Sequence, residues 1–163
     1  MKNAIVGQSG GPTSVINSSL AGVYESARLN GIETVYGMCH GVVGLLKDEL
    51  IDLKDYLDSR LKVDLLKRTP SSYLGSCRYK LKDYNVDDSE YKIIFANLEK
   101  HDIGYFFYIG GNDSMDTIGK LAAYGAKIHS PIRFVGVPKT IDNDLAITDH
   151  CPGYGSAAKY VAT

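Results

Sequence analysis

Apolar residues along this chain alternate between short continuous runs and stretches at helical spacing. Ala4-Ile5-Val6-Gly7 is a run of the first kind, followed by the turn residues Gln8-Ser9-Gly10-Gly11-Pro12-Thr13. Val15, Ile16, Leu20, Val23 and Ala27 then recur at a spacing that gathers side chains on one helix face. A second strand is predicted over residues 33–38, which makes an opening βαβ unit. Pro12 suits the first helical position, where its missing N–H would have had no partner. Residues 40–83 are less regular. Residues 41–46 begin a short helix, Leu61, Val63, Leu65 and Leu66 fit neither period, Thr69-Pro70-Ser71-Ser72 is a turn, and Leu74-Gly75-Ser76-Cys77-Arg78 is a loop.

Regularity returns with a helix over 89–101, carrying Ile93, Ile94 and Leu98. Residues 103–109 form a near-continuous apolar strand, as in a parallel sheet covered on both faces. Helical character resumes over 115–124, and a further strand is predicted over 132–137. A last helix begins near Gly153 and the chain ends within it at Thr163, so an N-terminal portion of a longer protein is expected. Strands alternating with helices predict an α/β fold: a doubly wound, Rossmann-like parallel sheet with helices on both faces, in one domain spanning 1–163.

Charge and cysteine content narrow the class. Eighteen basic and nineteen acidic residues give a net charge of −1, which speaks against a nucleic-acid or membrane-surface partner. No stretch approaches the roughly 20 apolar residues of a membrane span. The start of the chain lacks the apolar core of a signal peptide. Cys39, Cys77 and Cys151 are odd in number and far apart, as expected of reduced thiols in a cytoplasmic protein. None of His40, His101, His129 and His150 has metal-ligand spacing to another.

The chemistry concentrates in Pro138-Lys139-Thr140-Ile141-Asp142-Asn143-Asp144, at the C-terminal end of a predicted strand, where open α/β sheets bind ligands. A cation, a hydroxyl and two carboxylates suit phosphoryl transfer: charge for a phosphate, a proton acceptor, and a ligand for Mg²⁺. In an extended backbone Asp142 and Asp144 would point the same way; a solvated turn is the plainer reading of both. Gly10-Gly11 lets the backbone approach a phosphate at a helix N-terminus, or simply makes a tight turn. It matches neither GxGxxG nor GxxxxGK[ST]. Gly110-Gly111-Asn112-Asp113-Ser114 repeats the device with a carboxylate, unless Asn112, Asp113 or Ser114 serves only as a helix cap. Asp113 beside a phosphate needs a compensating cation, for which Lys139 and Mg²⁺ are the candidates. Arg78 is either a surface arginine or a fork-shaped donor to a phosphoryl group.

These motifs, with Thr148-Asp149-His150-Cys151-Pro152-Gly153-Tyr154-Gly155, resemble the 6-phosphofructokinase family, in order and across essentially the whole chain. In ATP-using members of that family small glycines stand where this chain has Asp113 and Lys139, so the resemblance is to the pyrophosphate-dependent branch. It implies a Mg²⁺-assisted transfer from diphosphate to the 1-hydroxyl of fructose 6-phosphate. It implies Asp142 as the base, with Lys139, Asp113 and Arg78 also catalytic. Gly10, Gly11, Asp113, Ser114 and Lys139 would bind diphosphate. Lys139, Thr140, Ile141 and Asp142 would hold the sugar, and Asn112 and Asp144 would hold the metal. The resemblance further implies a homo-oligomeric full-length enzyme and a second domain gripping the sugar 6-phosphate, without which this chain binds diphosphate weakly. The rival readings are an ATP-dependent 6-phosphofructokinase and a non-catalytic, receiver-like Mg²⁺-binding signalling domain.

Overall fold

The continuous apolar runs become adjacent strands of one sheet. A computed structural model describes residues 2–140, 142–151 and 153–163. Its strands are β1 (Asn3–Gln8), β2 (Val35–Met38), β3 (Leu50–Asp52), β4 (Ile103–Gly110) and β5 (Arg133–Pro138), in the order β3-β2-β1-β4-β5. β1 pairs in parallel with β2 and β4, and β4 with β5. The helices are α1 (Ile16–Leu29), α2 (Val42–Leu46), α3 (Leu53–Tyr56), α4 (Arg60–Arg68), α5 (Ser89–Lys100), α6 (Asn112–Lys127) and α7 (Tyr154–Ala162).

The central strands are buried from both sides, which is why β1 and β4 read as unbroken apolar sequence. On one face Ile16 and Leu20 of α1, Leu53 of α3 and Val63 and Leu66 of α4 pack on Ala4, Val6, Val35 and Ile109. On the other, Val42 and Leu45 of α2, Tyr91, Ile94 and Leu98 of α5 and Leu121 of α6 pack on Ile5, Phe106 and Tyr108. Successive strand residues thus serve opposite cores, each buried Leu or Ile contributing about 1.5–3 kcal/mol. The expected doubly wound α/β sheet is present, with one edge that the hydrophobic pattern did not show: β3 pairs antiparallel with β2. The neighbouring α4 was hard to read because Leu61 and Leu65 are exposed while Val63 and Leu66 are buried, so apolar residues mark both sides of the helix.

Two boundaries differ from expectation, and both lie at the sheet's C-terminal rim. Helix α1 starts at Ile16, so Pro12 is not its first residue. The loop before it is held out of helical geometry by ties to other segments. Gly10 donates its N–H to the Cys77 carbonyl (3.0 Å), and the Gly11 carbonyl accepts from Lys139 Nζ (2.5 Å). Helix α6 starts at Asn112 with Gly111 at the N-cap position and no side-chain cap, so Asn112, Asp113 and Ser114 form its first turn and none of them caps it.

A buried polar network fixes the loop that carries Arg78. Gln8, fully buried at the end of β1, donates from Nε2 to Asn17 Oδ1 (3.0 Å) and accepts at Oε1 from the Leu74 N–H (2.9 Å). Asn17 in turn donates to the Thr69 carbonyl (2.8 Å) and accepts from the Tyr73 N–H (2.9 Å). Replacing Gln8 by leucine is expected to cost about 3 kcal/mol, because buried donors and acceptors lose their partners. Urea unfolding measures this; a loss below about 1 kcal/mol would show that the network carries little stability.

Candidate active site

The strand order reverses direction between β1 and β4, the position at which an open α/β sheet forms a crevice beyond its strand ends. Gln8 pairs with Ile109 and Gly110 with Pro138, so three consecutive strands end side by side. The loops beyond them are tied to each other: the Ser9 N–H donates to the Ile109 carbonyl (2.9 Å) and the Lys139 N–H to the Gly110 carbonyl (2.9 Å). The result is a cleft of about 650 Å³.

Gly10, Gly11, Arg78, Asn112, Asp113, Ser114, Lys139, Thr140, Asp142 and Asp144 all line this cleft. Ile141, also expected there, lies outside the described residues, as does Pro152 of the last motif. Gly10 adopts φ +77°, a conformation that side chains rarely take, and a Cβ there would sit 3.4 Å from Lys139 Nζ. At Gly11 a Cβ would meet nothing within 4 Å, so the backbone faces open cleft there. Ser114 is buried, its hydroxyl packed under Gly110, and contributes to the floor.

Lys139 is only 6% exposed. Burial pushes its ammonium pKa down, the nearby Arg78 guanidinium lowers it further, and the Asp142 carboxylate opposes both. The buried ammonium and the exposed guanidinium near it together favour a multiply charged anion, which would relieve their mutual repulsion. Asp142 is exposed and, among the described residues, forms no ion pair; its own N–H donates to Thr140 Oγ1 (3.0 Å). Asp142 and Asp144 both reach the cleft although the backbone between them is not extended: Asn143 has φ +55°. Asn143 is pinned by accepting from the Cys151 N–H (2.8 Å) and donating to the Asp149 carbonyl (3.1 Å).

Asp113 does not pair with Lys139. Its Oδ1 lies 3.0 Å from Lys80 Nζ, a residue that the sequence motifs did not single out. Lys80 stands two positions after Arg78 in a stretch without helix or strand, where no periodicity marks it. Thr13 was also missed; its hydroxyl is buried beside the cleft and has no partner among the described residues.

Asn112 Nδ2 donates to Asp144 Oδ2 (2.8 Å). That bond, and one from Thr140, hold the Asp144 carboxyl below the usual carboxylate range. The amide oxygen of Asn112 is left without a partner among the described residues. One carboxylate and one amide oxygen fit a hard, oxygen-seeking cation such as Mg²⁺, which keeps most of its shell for water and phosphate. Among the described residues no cluster of three or more His, Cys, Asp or Glu side chains could hold a metal unaided.

Known proteins resemble this chain in sequence and in fold. The family model described as Phosphofructokinase matches residues 3–163. A pyrophosphate–fructose 6-phosphate 1-phosphotransferase of Methylococcus capsulatus is 48% identical, over 99% of this chain and 38% of its own length. The crystal structure of a pyrophosphate-dependent phosphofructokinase from Nitrosospira multiformis superposes with a TM-score of 0.90 at 47% identity, covering 99% of this chain and 39% of that one. An ATP-dependent 6-phosphofructokinase of Aliivibrio salmonicida is more distant, 34% identical over 94% of this chain and 43% of its length. The chain therefore spans well under half the length of the relatives it matches.

Proposed function

This chain belongs to the phosphofructokinase family, and we propose that it is the phosphoryl-donor domain of a pyrophosphate-dependent enzyme. The reaction is transfer of a phosphoryl group from diphosphate to the 1-hydroxyl of fructose 6-phosphate, giving fructose 1,6-bisphosphate and orthophosphate. The observation that carries this reading is the buried ammonium of Lys139 lying between the Gly10-Gly11 turn and Asp142, in a cleft whose far rim holds Asp113.

Each residue has work that follows from its place. The Gly11 backbone and Lys139 receive the diphosphate, and Arg78, exposed and free of ion pairs among the described residues, reaches the transferring group. Thr140 positions Asp142, which takes the proton from the sugar hydroxyl as that oxygen bonds to phosphorus. The bridging P–O bond breaks on the opposite side, and orthophosphate leaves with the electron pair. Lys139 and Arg78 then balance the charge that spreads over the phosphoryl oxygens. Asn112 and Asp144 would hold Mg²⁺, which when bound supplies further neutralisation of the diphosphate oxygens.

Asp113 brings negative charge and bulk to the rim, which disfavours the longer polyphosphate and base of a nucleotide. For that reason diphosphate is favoured over ATP as donor. The receiver-like signalling reading has no use for the paired glycine turns or for Arg78. We further propose that a C-terminal domain holds the sugar 6-phosphate, that the complete enzyme is a cytoplasmic homo-oligomer, and that neither nucleic acid nor membrane is a partner. Free Cys39, Cys77 and Cys151 are in keeping with a reducing compartment. Among the described residues no helix is long and apolar enough to cross a membrane. Tyr160 and Val161 of α7, each 85% exposed, offer apolar surface for further contacts.

The test is product analysis with a complete enzyme carrying this chain. Fructose 6-phosphate, diphosphate and Mg²⁺ are expected to yield fructose 1,6-bisphosphate and orthophosphate in equal amounts, and a chelator to stop the reaction. Orthophosphate without the bisphosphate would mean a diphosphatase instead.

A further inference from the structure

A multiply charged donor and a fixed carboxylate cannot share a rim without a counter-charge. Lys139 and Mg²⁺ were the candidates from sequence, but the Lys139 ammonium bonds the Gly11 carbonyl beside Arg78 and, among the described residues, forms no ion pair with Asp113. The cation at Asp113 is Lys80, 3.0 Å away. We propose that Lys80 is a specificity-determining residue of this site: it neutralises Asp113 so that the rim accepts diphosphate while Asp113 continues to exclude nucleotides. The proposal rests on the diphosphate reading of the cleft and assigns to it a group that the motifs leave out.

The backbone around Lys80 is built to hold it there. Upstream, the Cys77 carbonyl accepts from the Gly10 N–H (3.0 Å), and the Ser76 hydroxyl donates to the Gly10 carbonyl. Downstream, Leu81 is buried in the core on the α5 and α6 side of the sheet. The Leu81 carbonyl accepts from Lys120 Nζ (3.0 Å), and the Lys82 carbonyl accepts from the Tyr91 hydroxyl (2.7 Å). Lys80 therefore leaves a short segment anchored at both ends, one anchor being the diphosphate turn itself. Its partner Asp113 is equally fixed, in the first turn of α6.

The pair is open to solvent, with side chains 72% and 70% exposed, so it adds little to folding stability. Its worth lies in what it presents to a ligand. An ammonium has three donors, and Asp113 engages one, which leaves Lys80 able to face a terminal phosphate without releasing the carboxylate. Remove Lys80 and the diphosphate meets an uncompensated negative charge; remove Asp113 as well and that repulsion disappears.

The experiment is a double-mutant cycle on a complete enzyme carrying this chain, comparing Lys80→Met, Lys80→Arg, Asp113→Gly and the Lys80→Met, Asp113→Gly pair. Lys80→Met is expected to raise KM for diphosphate about tenfold, the scale of one screened charge contact, and to leave KM for fructose 6-phosphate within about twofold. That penalty should shrink between about 0.05 M and about 0.5 M salt. Lys80→Arg should restore KM. With glycine at 113, adding Lys80→Met should change KM for diphosphate by less than about twofold. An unchanged KM in Lys80→Met, or a penalty equally large with and without Asp113, overturns the assignment while the diphosphate reading stands. If the unsubstituted enzyme turns over with ATP and not with diphosphate, that reading fails and the assignment falls with it.

Discussion

Replacing Asp142 by asparagine in a complete enzyme carrying this chain is expected to lower kcat by about a thousandfold, within the range that a positioned general base contributes. Asparagine keeps the shape of the side chain and its place after Thr140, but its amide oxygen is far too weak a base to accept the hydroxyl proton. The substitution spares the fold, because Asp142 is exposed and, among the described residues, supports no ion pair. Its N–H bond to Thr140 Oγ1 belongs to the backbone and survives. KM for diphosphate should therefore move by less than about threefold, so that the loss falls on the transition state and not on ground-state binding. A kcat within tenfold of the parent would show that another group takes the proton.

The second large effect concerns the donor. Changing Asp113 and Lys139 together to glycine is expected to cut kcat/KM for diphosphate by about a thousandfold, the upper range for loss of an electrostatic stabiliser. It should at the same time admit ATP. Lys139 reaches across the cleft to the Gly11 carbonyl, and its ammonium lies 3.4 Å from where a Cβ on Gly10 would stand. Without it the diphosphate loses its most buried cation and the turn opens. Without Asp113 the rim loses the charge that repels the rest of a polyphosphate chain. Initial rates with each donor measure both halves of the expectation. A variant that keeps its preference for diphosphate would remove these two residues from the account of specificity.

Much of this was legible in the chain because burial on both sheet faces writes itself into sequence. β1, β4 and β5, and the helices α1, α5 and α6 between and after them, follow directly from apolar runs and helical spacing. The residues that line the cleft were legible for a related reason: the two glycine pairs and the Lys139 segment sit at strand ends, so locating the strands located them. β3 was not, since all three of its residues are half-buried and it pairs only with the edge of β2. The start of α1 was misread because Pro12 is a local signal, and the bonds from Cys77 and Lys139 that hold its loop open come from distant segments. The Lys80–Asp113 pair and the Gln8–Asn17 network were hidden for the same reason. Propensity places each residue on its own element, but only the packed chain decides which side chains meet across the gap.

On this reading the rim takes inorganic diphosphate and refuses a nucleotide. The measurement that bears on it most directly is kcat/KM for diphosphate against kcat/KM for ATP, in a complete enzyme carrying this chain, at saturating fructose 6-phosphate. A preference for diphosphate of about a hundredfold or more is expected from a charged rim built against the longer donor. Equal use of both donors, or a preference for ATP, would contradict it.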